Sequence, residues 1–360
     1  MDETEPGRER NTPKLPARFT GCLLGGAVGD ALGAPAADLT LAEILGCYGS
    51  TGIAEYEAAF GRRGAVTDNT RMTLFTSEGL ILSRVRQEYA PGKQAVAAVY
   101  HACLRWLYTQ DYGRQTQLIH VHGTCAVVDG ILTGYREMFA RRTPDPACLS
   151  ALRSGVMGTM EQPINYNKGC GGLVRAAPMG LFFPDVGQAF EMGCACAAIT
   201  HGHPGGYLPA GVLAALLSGV LSGRPLPDAV VAAEGILKMY DGHEACLQAV
   251  EGALALVHRR QPSPETMATL GSGRTAAEVL AIALYCALSA GDDFRRGVRC
   301  AVNHSGKSDA TGAIAGHILG ACCGDEAIPD AWIAGLELGD IIAEVAADLF
   351  DQVTDGNVQR

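Results

Sequence analysis

The stretch Phe19-Thr20-Gly21-Cys22-Leu23-Leu24-Gly25-Gly26-Ala27-Val28-Gly29-Asp30-Ala31-Leu32-Gly33-Ala34-Pro35 decides how this chain folds. Gly21, Gly25, Gly29 and Gly33 recur every four residues, which on a helix lays them along one face. Each glycine costs a helix about 0.5–1 kcal/mol relative to alanine, so the run needs an offsetting gain. A flat face supplies it by letting a second backbone approach closely. Gly312, Gly316 and Gly320 repeat the spacing near the other end of the chain. The two stripes predict a tight helix pair that closes residues 18–355 into one domain.

Outward from that pair the chain reads as nearly all helix. Thr67 or Asp68 can cap a helix carrying Met72, Phe75, Gly79 and Leu82 on one face. Leu208 to Leu221 and Ala276 to Leu288 are apolar almost all round, which predicts central helices. Asp228 to Met239 and Ala327 to Asp348 have the amphipathic pattern of peripheral ones. Alternating β-branched residues are scarce, so no strands are expected. The expected fold is all-α, a single compact orthogonal helical bundle. Met1 to Ala17 is charged and carries Pro6, Pro13 and Pro16, the composition of a disordered leader.

With 360 residues, 48% hydrophobic and 18% charged, the chain can build a sizeable core. Its formal net charge of −10 argues against non-specific binding to nucleic acid or to acidic membranes. The apolar run Tyr207 to Leu221 is broken by Pro209, Gly211, Ser218 and Gly219 and falls short of the ~20 residues of a bilayer span. The 13 cysteines form no C-x-x-C pair, which argues against zinc. Reduced, buried thiols in a cytoplasmic protein, without a secretory signal, are the expectation.

Asp68 and Asp309 are the leading chemical candidates. Each stands where a loop enters a helix, beside hydroxyl residues: Thr67 and Thr70 for the first, Ser308 and Thr311 for the second. Such junctions suit hard cations, and they suit plain N-capping equally in residue type. Gly169-Cys170-Gly171-Gly172 is a loop whose backbone N–H groups can approach a phosphate, or an ordinary turn. Cys170 reads as a packing residue, since no His or Asp stands at a readable spacing for a catalytic thiol. His201 and His203 precede Pro204 and read as a helix-entry turn, with no third ligand at hand for zinc. Gly271-Ser272-Gly273-Arg274 leads into the apolar helix at Ala276; Arg274 can stack on a base, meet a phosphate or simply face solvent.

Five segments together resemble the ADP-ribosylglycohydrolase family, and they do so in order along most of the chain. The opening stretch is similar to that family's first helix and loop. Thr67-Asp68-Asn69-Thr70-Arg71-Met72 resembles its T-D-D-T-Q-M motif, and Asn167 to Leu181 its S-K-G-C-G-x-x-M-R-x-x-P segment. Thr200 to Tyr207 resembles its T-H-x-H-P element, and His304-Ser305-Gly306-Lys307-Ser308-Asp309-Ala310-Thr311-Gly312 its H-S-G-D-S-D-S-T-G motif.

The resemblance implies an all-α hydrolase that removes ADP-ribose from a modified side chain, with two divalent metals that polarise the ribose and activate water. It implies Thr67, Asp68, Asp309 and Thr311 as metal ligands, for Mg²⁺ or Mn²⁺. It implies a glycine loop at the pyrophosphate and His201, His203, His304, Ser305 and Gly306 around the nucleotide. The motifs depart from the family at charged positions. Asn69 and Lys307 replace expected carboxylates, Ala37 stands where a glutamate is usual with Asp38 one residue on, and Arg71 replaces Gln.

Asp68 and Asp309 against Lys307 and Arg71 already sum to zero charge without metal. At ~4 Å and an effective dielectric of ~20 a unit pair is worth about 4 kcal/mol, and a dication beside Lys307 doubles the repulsion. The expectation is therefore no resident metal, with Lys307 bridging Asp68 and Asp309 in its place. The leading functional reading is a binder of ADP-ribose or ADP-ribosylated protein, or a protein that neutralises an ADP-ribosyltransferase. The alternatives are a working Mg-dependent hydrolase, with Asp68, Asp309 and Lys307 as its catalytic groups, and a purely structural relative.

Overall fold

The computed structural model describes residues 13–85, 93–111, 130–257 and 263–358. Its elements, in chain order, begin with α1 (Leu15–Gly33), α2 (Leu41–Tyr48), α3 (Asp68–Val85) and α4 (Lys93–Gln110). Then come α5 (Pro146–Arg153), α6 (Ala177–Phe182), α7 (Val186–Ala198), α8 (Pro204–Leu221) and α9 (Leu226–Leu237). The last part holds α10 (Glu244–Val257), α11 (Pro264–Ala268), α12 (Ala276–Ala290), α13 (Phe294–Val302), α14 (Ser308–Cys323), α15 (Asp330–Gly335) and α16 (Gly339–Val358). The fold is all-α. The one pair of strands among the described residues, Ala58–Ala59 and Arg62–Arg63, is a two-residue antiparallel hairpin that alternation over longer runs does not signal. Of the expected leader, 1–12 lie outside the described residues, and α1 takes in its last residues from Leu15.

The glycine stripes meet as expected. A Cβ on Gly29 would lie 1.9 Å from the Gly312 carbonyl oxygen, one on Gly25 2.4 Å from that of Gly316, and one on Gly21 2.5 Å from that of Gly320. The partner number falls as the first rises, so α1 and α14 run antiparallel with backbones in contact. His317 uses the same thinness: its ring sits where a Gly26 side chain would be, and its Nδ1 lies 2.8 Å from the Cys22 carbonyl oxygen. Burial pushes the His317 pKa down to about 4.

Around this pair α8 and α12 are buried almost throughout, as their all-round apolar sequence requires. By length and composition α8 matches a membrane span, yet 83% of it is packed inside the protein. The segment expected as one helix from Ala327 to Asp348 is instead a short turn, α15 and the start of α16; Pro329 and the left-handed Leu338 (φ 64°) divide it. The α1–α14 pair matters for function because it brings Asp30, beside Gly29, to the N-terminus of α14, where Asp309 stands.

Candidate functional site

Asp30 lies fully buried in α1 and gathers donors from the start of α3. Its carboxylate accepts from the Thr67 backbone N–H (2.8 Å), the Thr67 hydroxyl (2.6 Å) and the Thr70 hydroxyl (2.6 Å). Thr67 in turn caps α3 by accepting from the Asn69 N–H at 3.1 Å. The Asn69 side-chain amide then spans two acids, with Nδ2 3.2 Å from Asp30 Oδ1 and 3.1 Å from Asp309 Oδ2. Burial, with the negative charge of Asp309 added, pushes the Asp30 pKa up to about 6 against the hydroxyl hydrogen bonds. Burial raises Asp309 as well, against the pull of Lys307. Asp309 Oδ1 is buried without a hydrogen-bond partner.

Asp68 is held on the other side of the α3 N-terminus. Its oxygens accept from the Trp106 indole N–H at 3.1 Å and the Arg142 backbone N–H at 3.2 Å, and Arg71 Nη1 lies 3.7 Å away. Burial lifts its pKa to about 6 although Arg71 opposes the shift.

Lys307 differs from the expectation. It does not bridge Asp68 and Asp309; its Nζ donates to Asp38 Oδ2 at 2.7 Å. The backbone explains this. Asp38 adopts φ 67° and its N–H donates to the Gly306 carbonyl oxygen, so the 38 loop is tied to the residue before Lys307. Asp68 meanwhile already has donors on both oxygens. Burial works against the Lys307 charge, but Asp38 and then Asp309 hold its pKa above the usual lysine value.

A pocket of about 320 Å³ opens over these groups. Asp68, Asn69, Gly169, Cys170, Gly171, Arg274 and Lys307, all singled out from the sequence, share its wall. Asp309 stands behind Asn69 rather than on the wall. The glycines of the loop divide by task. Gly169 N–H is taken by Asn167 Oδ1 at 2.6 Å, a Gly171 Cβ would lie 2.5 Å from Asp145 Oδ2, and a Gly172 Cβ would strike Ala197 of α7 at 2.8 Å. Burial, then the Asp309 charge, pushes the Cys170 thiol up to about 12, which suits a packing residue.

The remaining candidates sit apart from the acids. His203 caps α8, its Nδ1 accepting from the Gly205 N–H at 2.9 Å. His304 Nε2 pairs with the Thr311 hydroxyl at 2.7 Å, and that hydroxyl also lies 2.7 Å from the Ala301 carbonyl oxygen, so Thr311 Oγ1 points into the core. Ser305 Oγ accepts from the Leu41 N–H at 2.9 Å. Gly306, at φ 124°, packs under the Ser272 carbonyl. His304 and Ser305 line a second, separate hollow beside α2 and α11.

Asp30, Trp106, Asp145 and Cys148 were missed in the sequence. Asp30 had a signal: it is the one carboxylate in a largely apolar, glycine-striped helix whose other charge, Arg18, lies about three turns earlier. The others are brought in from separate elements and carry no local pattern.

The sequence matches the model of the ADP-ribosylglycohydrolase family over residues 11–358. A protein of Rhodospirillum rubrum described as ADP-ribosyl-[dinitrogen reductase] glycohydrolase is 27% identical over 335 residues, 91% of this chain and 92% of that protein. A solved structure titled ADP-ribosylglycohydrolase-related protein complex superposes with a TM-score of 0.65 at 26% identity, covering 94% of this chain and 99% of the other. With the family model spanning nearly the whole chain and the fold shared, this protein belongs to the ADP-ribosylglycohydrolase family.

Proposed function

We propose that this member of the family binds ADP-ribose, free or on a modified protein, in the pocket over Asp68 and Lys307, without a two-metal hydrolytic centre. The observation that carries the reading is the Asn69 amide between Asp30 and Asp309. An N–H₂ group there donates to both acids from the place where a shared cation would stand. Asp30 and Asp68 have protein donors on both oxygens, and Lys307 brings an ammonium to the same wall. This donor set suits a divalent pair poorly, because oxygen-seeking cations need carboxylate and carbonyl oxygens turned towards them. Arg274 and Lys307 on the wall suit a pyrophosphate instead.

A working hydrolase is the second reading. Its support is Asp309 Oδ1, a buried carboxylate oxygen without a partner beside the pocket. Calorimetry with ADP-ribose, once in EDTA and once in excess Mg²⁺, separates the two. Equal affinity in both supports the metal-free binder. Affinity that appears only with Mg²⁺, or metal-dependent release of ADP-ribose from modified arginine, moves the assignment to the hydrolase.

A further inference from the structure

Asp145, Cys148 and His201 come together beside the pocket, whose lining includes the first two. One ligand atom from each lies within 4.8 Å of the others. Asp145 caps α5: its Oδ1 accepts from the Ala147 N–H at 2.6 Å and the Cys148 N–H at 3.2 Å, which leaves Oδ2 turned towards His201. Cys148 follows on the first turn of the same helix. His201 arrives from the end of α7 with its ring fully buried.

The His201 ring is anchored at Nδ1, 2.9 Å from the Thr200 hydroxyl, which also accepts from Arg175 Nη2 at 2.8 Å. Its Nε2 is buried without a hydrogen bond, 3.7 Å from Asp145 Oδ2. That spacing is long for a hydrogen bond. It is close to the ~3.3–3.6 Å between two ligand atoms on one tetrahedral zinc at the usual bond lengths. Glycine clears the space: a Cβ on Gly171 would lie 2.9 Å from His201 Cε1, and one on Gly169 3.6 Å from Nε2.

We propose that Asp145, Cys148 and His201 form a site for one soft divalent cation, zinc by the chemistry of its ligands, with its fourth position open to the pocket. A mixed carboxylate, thiolate and imidazole set with one open position fits zinc and fits magnesium badly. Asp145 and Cys148 both line the pocket, so the open position faces whatever the pocket holds. Thr200 orients the imidazole, as metal-bound histidines require of their second nitrogen. Binding displaces the Cys148 thiol proton to solvent, and the two anions then match the dication. Burial, then the Asp145 charge, pushes the Cys148 thiol up to about 12, and Arg175, with Nη1 3.4 Å from Sγ, offsets only part of this, so the cation itself has to displace the proton. The ligand set includes neither Asp30 nor Asp309, and its test does not require ADP-ribose to bind.

Cobalt(II) reports it directly. Titration of the chelator-treated protein should give one equivalent bound, with intense tetrahedral d–d bands and a thiolate-to-cobalt charge-transfer band, both erased by one equivalent of zinc. C148S should abolish the charge-transfer band, and D145N and H201A should each weaken binding at least about tenfold. X-ray absorption of the zinc-loaded wild type should fit one sulfur among lighter donors, a readout that needs no variant to fold. A spectrum without the thiolate band, a sulfur-free zinc shell, or equal cobalt affinity in wild type, C148S and H201A overturns the proposal.

Discussion

Asn69 Nδ2 donates at once to Asp30 Oδ1 at 3.2 Å and to Asp309 Oδ2 at 3.1 Å, tying α1 to α14 through the first turn of α3. A neutral amide thereby keeps two buried acids apart, and both acids are raised in pKa. The position asks for positive charge and receives a pair of N–H bonds.

Replacing that amide tests the metal-free reading. Asn69→Asp combined with Lys307→Asp should lower the melting temperature in EDTA, because buried carboxylates then repel without a donor between them. Mn²⁺ or Mg²⁺ should restore it, by roughly 2.7 kcal/mol at a hundred times the dissociation constant. Wild type should not respond at those concentrations. An equal cation-dependent shift in wild type would mean that the native site already binds the metal.

The helix seam should tolerate no side chain. Gly29→Ala places a Cβ 1.9 Å from the Gly312 carbonyl oxygen, a backbone atom that cannot swing away. The expected loss is at least about 3 kcal/mol in urea unfolding, or failure to fold. Gly235→Ala in α9 is the control, since nothing lies within 4 Å of its Cβ. It should be neutral or gain up to about 1 kcal/mol. Equal effects at the two sites would refute close backbone packing as the reason for the stripe.

That seam was legible in the sequence because a four-residue spacing is local and both stripes carry it. Asp68 and Asp309 were legible for the same reason, as each opens a helix beside hydroxyls. The partner of Lys307 was not. Asp38 owes its place to a left-handed backbone and a hydrogen bond to Gly306, neither of which residue type dictates. Asp145, Cys148 and His201 belong to segments separated by more than fifty residues, so spacing alone could not join the histidine to the other two. The helix-entry reading holds for His203, which caps α8, while His201 turns instead to Asp145, 3.7 Å from its Oδ2.

Behind the pocket Arg142 and Glu337 form a buried ion pair, with Nη2 2.8 Å from Oε1. Glu337 also accepts from the Val66 N–H at 3.1 Å, and the Arg142 backbone N–H reaches Asp68. Glu337→Ala strands the guanidinium and should cost about 3–5 kcal/mol. Adding Arg142→Met should recover part of that, as the uncompensated charge is gone. Chemical denaturation of Glu337→Ala, Arg142→Met and the double variant measures it, and additive effects would show that the pair is not coupled.

The raised acids also fix a sign in the pH dependence of stability. Asp30 titrates at about 6 when folded and at about 3.9 when unfolded. Between those values the folded chain holds more protons, so this contribution to stability is full below about pH 4 and is lost as pH rises through 6. His317 runs the other way, with a folded pKa of about 4 against ~6.5 unfolded, so its contribution grows over much of the same range. Wild type alone would therefore look flat. The comparison with Asp30→Asn removes the masking, because His317 is common to both and cancels. The stability difference, wild type minus variant, should be larger at pH 4.5 than at pH 7.5 by roughly 2 kcal/mol. Urea unfolding at the two pH values decides it: a difference that stays constant with pH would mean that Asp30 is ionised as readily in the fold as in the unfolded chain.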